Sequence, residues 1–302
     1  MDGGAASRRA PSPPPGLRYT PIVVSPRLAF RRVVVLLVAG VVLASAGYAY
    51  AQFRSRGFGV LGIGSGLAPP EFPDRDFVIC RLVYTEARRF GGGWRTDYPL
   101  GDRNLSIRFS ELTRTRVSRA GDGSPNHYLV RITDDQLFQC PFLIAGDIGS
   151  IGIGEEDAVR LREYFLKGGF LWVDDMWGSV QWEAWSREIG KVFPPAEYPI
   201  EDVPITDPIF RSQYIVSEMP QIPSIVYWRG SGGDTSEQGA DSAVAVFRAI
   251  RDRDGRIMIA MTHNTDIADA WEREGEEPEF FHRFSPTGYA VGVNVLLYAL
   301  TH

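Results

Sequence analysis

The stretch "CPFLIAGDIGSIGIGEEDAVRLREYFLKGGFLWVDD", residues 140–175, decides the fold class. Two short apolar runs, 140–147 and 169–175, flank "EEDAVRLREYFLK". This middle segment has apolar residues at helical spacing, acids in its first turn and a Lys-Gly pair at its end, which predicts a helix over 155–167. Strand, helix and strand in this order build a parallel sheet. We therefore expect an α/β fold.

Carboxylates follow both predicted strands, Asp147 after the first and Asp174 with Asp175 after the second. Ligands of open α/β sheets bind at the carboxyl edge of the strands. The adjacent pair could bind a cation or act as general acid and base. Alternatively, Asp174 caps the next helix or closes a turn. If one of the two is structural, we expect it to be Asp174.

A predicted hairpin later in the chain adds polar residues to the same edge. The apolar runs "AVAVFRAI" and "RIMIAM" are joined through Asp254-Gly255, a strong turn signal. The second run leads into "THNTDIADAWERE", which brings His263, Asp266 and Asp269 to a strand end. His263 could be an acid or a metal ligand, or a hydrogen-bonded polar residue without such a role. The candidate catalytic residues are therefore Asp175, His263 and Asp147.

A divalent cation is a possible cofactor. Carboxylates of Asp147, Asp174, Asp175 and Asp266, with His263, would suit Mg²⁺, Mn²⁺ or Ca²⁺ better than a structural zinc. The chain has no HExxH motif and no paired-cysteine spacing.

Residues after the first predicted strand, "FVICRLVY" at 77–84, could line the same crevice. Glu86 ends this strand, and Arg88 could clamp an anionic ligand or lie in a solvated loop. The three glycines at 91–93 lack the Lys-Ser/Thr of a phosphate-binding loop, and we interpret them as a flexible hinge. Trp177 could form part of an aromatic platform, or pack in the core. The candidate ligand-binding residues are Asp174, Trp177, Glu86, Arg88 and Asp266.

The N-terminal region predicts export. Residues 33–53 carry no charge and are apolar enough for a membrane-spanning helix or a signal peptide. Six arginines precede them, which predicts a cytoplasmic N-terminus. Ala49-Tyr50-Ala51 resembles a signal-peptidase cleavage site. The segment could therefore be a membrane anchor or a cleaved signal peptide. We expect a disordered cytoplasmic tail (1–30), an anchor or signal (31–53), a linker (54–75) and an α/β domain (76–302). This domain would be membrane-anchored outside the cytoplasm, or periplasmic after cleavage.

Composition restricts the partners of the exported part. Residues 52–302 carry 26 basic and 36 acidic side chains, a net charge of −10, which argues against nucleic acid as a partner. The remaining partners are the membrane, through 33–53 if uncleaved, and a small ligand or protein. Cys80 and Cys140 could pair in an oxidising compartment, but their apolar surroundings favour buried thiols.

An ordered set of segments resembles a known family. "FVICRLVYTE", "LIAGD", "GGFLWVDD", "MTHNTD" and "GYAVGVNVLLYAL" cover nearly all of residues 76–301, and together they resemble the bacterial domain-of-unknown-function family 4159. The resemblance implies a flavodoxin-like parallel-sheet sandwich of the class I glutamine amidotransferase type, similar also to the ThuA-like proteins. It implies no activity.

The amidotransferase comparison bears on the reaction. That fold places a nucleophilic Cys after the strand that is "GFLWVDD" here, whereas this chain has Asp174, Asp175 and Met176. Glutamine amidotransferase activity is therefore not expected. "MTHNTD" falls where a ThuA-like chain carries a late strand-end His.

Two functions remain. We prefer a binding module for a small ligand or protein partner. The alternative is a hydrolase that uses an Asp/His rim, with or without a divalent cation. A catalytic rim should bring Asp147, Asp175 and His263 together.

Overall fold

A computed structural model describes residues 66–302, and a seven-stranded sheet forms their centre. The strand order is β2-β1-β3-β4-β7-β6-β5, with parallel pairing from β2 to β7 and antiparallel pairing of β6 with both neighbours. The mixed α/β class is thereby confirmed. The strands are β1 (Ile79–Val83), β2 (His127–Arg131), β3 (Leu143–Ala145), β4 (Leu171–Val173), β5 (Glu201–Asp202), β6 (Val246–Arg251) and β7 (Ile257–His263).

Six α-helices accompany the sheet in the described residues. They are α1 (Leu100–Thr113), α2 (Glu155–Leu166), α3 (Gly178–Val192), α4 (Ile225–Ser231), α5 (Asp269–Glu272) and α6 (Pro278–Thr301). The predicted crossover helix is α2, and the predicted hairpin is β6–β7. The C-terminal helix α6 contains the quoted segment "GYAVGVNVLLYAL" and begins ten residues before it, with Pro278 in its first turn, where proline is tolerated.

Apolar side chains cover both faces of the sheet. Successive residues of a strand point to opposite faces, so Cys80 and Leu82 join the core beneath α2 and α3, while Ile79 joins the core beneath α1 and α6. The strands β3 and β4 are buried on both faces. Their continuous apolar sequences therefore reflect a sheet placed between two helical layers.

A disulfide joins Cys80 in β1 to Cys140, which precedes β3. The expectation of buried thiols is therefore wrong. The two residues meet because β1 and β3 are neighbours in the sheet, with a Cα–Cα distance of 6.0 Å. The bridge closes a loop with a sequence separation of 60, and restricting the unfolded chain in this way stabilises the fold by about 4 kcal/mol.

The predicted tail, membrane segment and first part of the linker lie outside the described residues. The described end of the linker contacts the domain, since Leu67 pairs with Leu129 of β2 and the Phe72 ring lies 4.7 Å from that of Tyr128. Among residues 66–302, no helix combines the length and the apolar character needed to cross a membrane.

Candidate functional site

The site lies where three parallel strands end at one edge of the sheet. Asp147 follows β3, Asp175 follows β4 and Asp266 follows β7, and these strands are adjacent. The helices after β1 and β3 pack on opposite faces of the sheet. The chain therefore leaves two neighbouring strands toward opposite faces, and this divergence opens a crevice of the kind in which open α/β sheets bind ligands.

A cavity of about 450 Å³ occupies this crevice. Seven carboxylates and two guanidinium groups line it, together with the aromatic rings of Phe90 and Trp177. Of the residues predicted from the sequence, the cavity brings together Asp147, Asp175, Asp266 and Trp177. The lining acids are Asp97, Asp147, Asp175, Glu237, Asp266, Asp269 and Glu272, and the lining bases are Arg95 and Arg273.

Three of the lining aspartates have a left-handed backbone conformation. The φ angles are 65° for Asp97, 45° for Asp147 and 55° for Asp175. Residues other than glycine rarely adopt such angles, although Asp and Asn tolerate them better than most. Strain of this kind persists where the surrounding structure enforces it, and it is frequent at functional sites.

Asp97, Asp266 and Asp269 form the tightest carboxylate group of the cavity. One oxygen from each lies within 4.8 Å of the others, and all three side chains are buried. Burial, followed by the neighbouring carboxylates, raises the pKa of Asp97 and of Asp266 well above the ordinary range. Burial also raises the pKa of Asp269 to about 7, against the effect of a hydrogen bond from the Ile225 N–H.

Asp175 and Asp147 also line the cavity. The Asp175 Oδ1 accepts a hydrogen bond from Trp177 Nε1 at 3.0 Å. Burial, and then the charge of Asp147, raise the pKa of Asp175 well above its usual value. The Asp147 Oδ2 accepts hydrogen bonds from the Gly93 N–H at 2.8 Å and from Ser150 Oγ at 3.1 Å, and burial raises its pKa.

Asp174 does not line the cavity. It is 1% exposed and accepts hydrogen bonds from Thr262 Oγ1 and, at 2.8 Å, from the Ala268 N–H. These contacts tie β4 to β7 and to the segment that precedes α5. Burial raises the pKa of Asp174 to about 6.

His263 also lies outside the cavity lining, so the structure does not join it to Asp147 and Asp175. Its Nε2 is 3.0 Å from the Gly178 carbonyl, and its Nδ1 is 2.7 Å from Nη1 of Arg248. A carbonyl only accepts, so Nε2 carries the proton and Nδ1 accepts from the arginine. Burial lowers the pKa of His263, and the Arg248 charge acts in the same direction. The neutral imidazole therefore holds the start of α3.

Glu86 and Arg88 are likewise absent from the cavity lining. Arg88 pairs with Glu188 at 3.7 Å and Glu86 with Arg95 at 3.8 Å. Glu86 also lies against Gly93, where a Cβ atom would come within 2.2 Å of its Oε1. The glycines at 91–93 thus allow a close approach of the loop to Glu86 and Asp147.

A buried ion pair supports the loop that carries Asp97. The guanidinium of Arg81 in β1 contacts both carboxylate oxygens of Asp102 in α1, and its Nη1 donates to the Thr96 carbonyl at 2.8 Å. Arg81 and Asp102 are 1% and 0% exposed. The pair fixes the backbone of Thr96, the residue before Asp97.

Several lining residues were not among the predicted site residues. Asp269 was placed at the same strand end as Asp266, in the quoted segment "THNTDIADAWERE", but was not chosen as a ligand. Asp97 lies fourteen residues beyond the end of β1, in a loop that no periodicity describes. Arg95 ends the short 3₁₀ helix Gly93–Arg95, and Glu237 lies in a loop. The path of both segments depends on tertiary contacts.

The ordered segments and the strand-end acids agree with a family comparison. The family described as Domain of unknown function (DUF4159) matches residues 78–300. The chain belongs to this family. The matched region contains β1 to β7 and every acid that lines the cavity. Among curated proteins, none matches the chain.

Proposed function

We propose that residues 76–302 form a binding module on an amidotransferase-like fold, in which the acid-lined cavity binds a small, positively charged ligand. The observation that carries the proposal is the lining of seven carboxylates and two guanidinium groups around one cavity. A surface of this charge attracts cations. The rings of Phe90 and Trp177 add faces on which an ammonium group can pack.

The two guanidinium groups do not balance seven carboxylates, and the raised pKa values of Asp97, Asp175 and Asp266 show that protons take up part of this charge. Arg273 already contacts Asp269, Glu272 and Glu276, and Arg95 contacts Glu86. A cationic ligand would therefore meet carboxylates that have no cation of their own. The cavity volume of about 450 Å³ is within the range of small-molecule sites, roughly 300–1,000 Å³.

The fold type belongs to the proposal as well. The order β2-β1-β3-β4 with parallel pairing is that of flavodoxin-like sheets, and Asp175 follows β4 in a left-handed turn. An amidotransferase would carry its Cys at this turn. Both cysteines of the chain are in a disulfide, so neither supplies the thiolate that such a reaction needs.

We also propose that the domain is exported, and held at the membrane through residues 33–53 where this segment is not cleaved. The uncharged run supports this placement. The disulfide supports it independently, because disulfides form and persist in oxidising compartments.

The hydrolase alternative has less support. Its rim requires a histidine beside Asp147 and Asp175, whereas both ring nitrogens of His263 contact protein groups outside the cavity lining. A binding module needs no such residue.

Calorimetric titration of the full chain in detergent and EDTA tests the binding proposal. Putrescine, 1,4-butanediol and succinate have four-carbon backbones and differ in charge. We expect saturable binding of putrescine alone, weakened at least tenfold by Asp175→Asn and unchanged by Asp254→Asn, which removes an exposed charge in the β6–β7 turn. Binding of succinate, or no binding of putrescine, would contradict the proposal.

A further inference from the structure

The group of Asp97, Asp266 and Asp269 brings three acids together from different parts of the chain. Asp97 follows the short 3₁₀ helix Gly93–Arg95, Asp266 follows β7, and Asp269 begins α5. Their exposures are 7%, 3% and 3%. Three buried carboxylates with oxygens within 4.8 Å repel one another unless protons or a cation neutralise them.

Protein cations neutralise this group only in part. Among residues 66–302, the ion pair that reaches it joins Arg273 Nε to Asp269 Oδ1 at 3.4 Å. The same Nε lies 2.6 Å from Glu272 Oε2, so its charge is shared. Neither Asp97 nor Asp266 has an ion-pair partner in the described part of the chain.

One oxygen of the three-carboxylate group has no protein partner among the described residues. Oδ2 of Asp97 is fully buried and has no hydrogen-bond partner among the described residues. A buried acceptor without a partner destabilises the fold, and such atoms are rare in folded proteins. The carboxylate belongs both to the cavity lining and to the three-carboxylate group, so a cation among the three acids would contact this side chain.

Backbone contacts orient the other two carboxylates. The Asp269 N–H donates to Asp266 Oδ1 at 3.1 Å, and the Ile225 N–H donates to Asp269 Oδ2. Such contacts hold metal-binding carboxylates in place and tune the metal that they bind.

We infer that Asp97, Asp266 and Asp269 bind a divalent cation through carboxylate oxygens. The inference rests on the proposed function, because the divalent cation would occupy the same acid-lined cavity and be held by the same negative charge. An all-oxygen set favours Ca²⁺, Mn²⁺ or Mg²⁺ over Zn²⁺. Ca²⁺ accepts oxygen ligands in flexible geometry, whereas Mg²⁺ demands a near-ideal octahedron. Ca²⁺ is therefore the ion expected to bind with least rearrangement.

This set differs from the one that the sequence predicted. Asp174 faces Thr262 and Ala268, and His263 faces Gly178 and Arg248. Of the predicted ligands, Asp266 is the member of the new group.

The test is calorimetric titration of the EDTA-treated full chain in detergent with CaCl₂, MnCl₂, MgCl₂ and ZnCl₂, without any organic ligand. We expect saturable binding of one Ca²⁺ per chain, and at least tenfold weaker binding in Asp97→Asn. Asn tolerates the positive φ of position 97, so the backbone of the variant is preserved. Asp254→Asn should bind Ca²⁺ as the unchanged chain does.

Absence of saturable binding of any hard cation to the unchanged chain would overturn the inference. Equal Ca²⁺ affinity in Asp97→Asn and the unchanged chain would overturn it too. If Asp97→Asn does not fold, Asp266→Asn replaces it, because its amide oxygen can still accept from the Asp269 N–H. Putrescine binding in EDTA without Ca²⁺ binding would refute the metal site alone, whereas Ca²⁺ binding without putrescine binding would refute the organic-cation proposal alone.

Discussion

Replacing Asp102 with Asn removes the carboxylate that neutralises Arg81 inside the domain. The two side chains are 0% and 1% exposed, and the Arg81 Nε lies 2.9 Å and 3.1 Å from the two carboxylate oxygens. An amide offers one acceptor and turns its NH₂ group toward the guanidinium. The substitution therefore leaves a buried cation without a counter-charge.

The expected loss is about 3–5 kcal/mol in the free energy of unfolding, the usual cost of breaking a buried pair on one side. For a domain of this size, this corresponds to a drop in Tm of about 6–20 °C. Unfolding in urea, followed by tryptophan fluorescence, measures the first quantity, and a thermal scan measures the second. The loop at Thr96 should also loosen, because Arg81 holds its carbonyl.

Two controls make this prediction specific. Glu163→Gln breaks an exposed pair with Lys167, whose side chains are 50% and 63% exposed, and should cost less than about 1 kcal/mol. The double variant Arg81→Met/Asp102→Leu removes both charges and should be more stable than Asp102→Asn. A loss for Asp102→Asn no larger than that for Glu163→Gln would refute the reasoning.

Two further predictions concern the site. Thermal unfolding in EDTA should give a higher Tm at pH 5.5 than at pH 8, because burial raises the pKa of Asp174 to about 6 and of Asp269 to about 7. Between pH 5.5 and pH 8 the folded chain then holds more protons than the unfolded chain, so the stability falls as pH rises. An increase in Tm from pH 5.5 to pH 8 would contradict this prediction. Gly93→Ala should cost about 1–3 kcal/mol, because φ is +64° at this position and the new Cβ would also displace the Glu86 carboxylate. Gly121→Ala, which meets nothing within 4 Å, should cost little, and equal urea midpoints for both variants would contradict the packing argument.

The central elements could be predicted because their apolar runs are continuous. The segment 140–175 gives β3, α2 and β4, since a strand buried on both faces needs apolar residues throughout. By contrast, β2 was missed. It lies at the sheet edge, and the terminal residues His127 and Arg131 are only partly buried or exposed, so its apolar signal spans three residues.

Of the site residues, those that directly follow a parallel strand could be predicted from the sequence. Asp147, Asp175 and Asp266 follow parallel strands and so reach one edge. His263 also ends a strand, but side chains alternate between faces, so Thr262 meets Asp174 while His263 meets α3 and the antiparallel strand β6. The contacts of His263 depend on which strand lies beside β7, and the spacing of residues in the sequence does not show which strand that is.

The buried acids of the cavity destabilise the fold, whereas the disulfide and the buried ion pair near them stabilise it. Buried carboxylates with raised pKa values lower the stability of the metal-free chain near neutral pH, and left-handed aspartates add backbone strain. The Cys80–Cys140 bridge and the Arg81–Asp102 pair hold the neighbouring strand and loop in place despite these costs. A cation among Asp97, Asp266 and Asp269 would remove much of the repulsion, so ligand-free and cation-bound chains should differ in stability mainly at this edge of the sheet. Amide hydrogen exchange in the 94–97 loop and in α5 should therefore slow when Ca²⁺ is added, while exchange in the β6–β7 turn should not change.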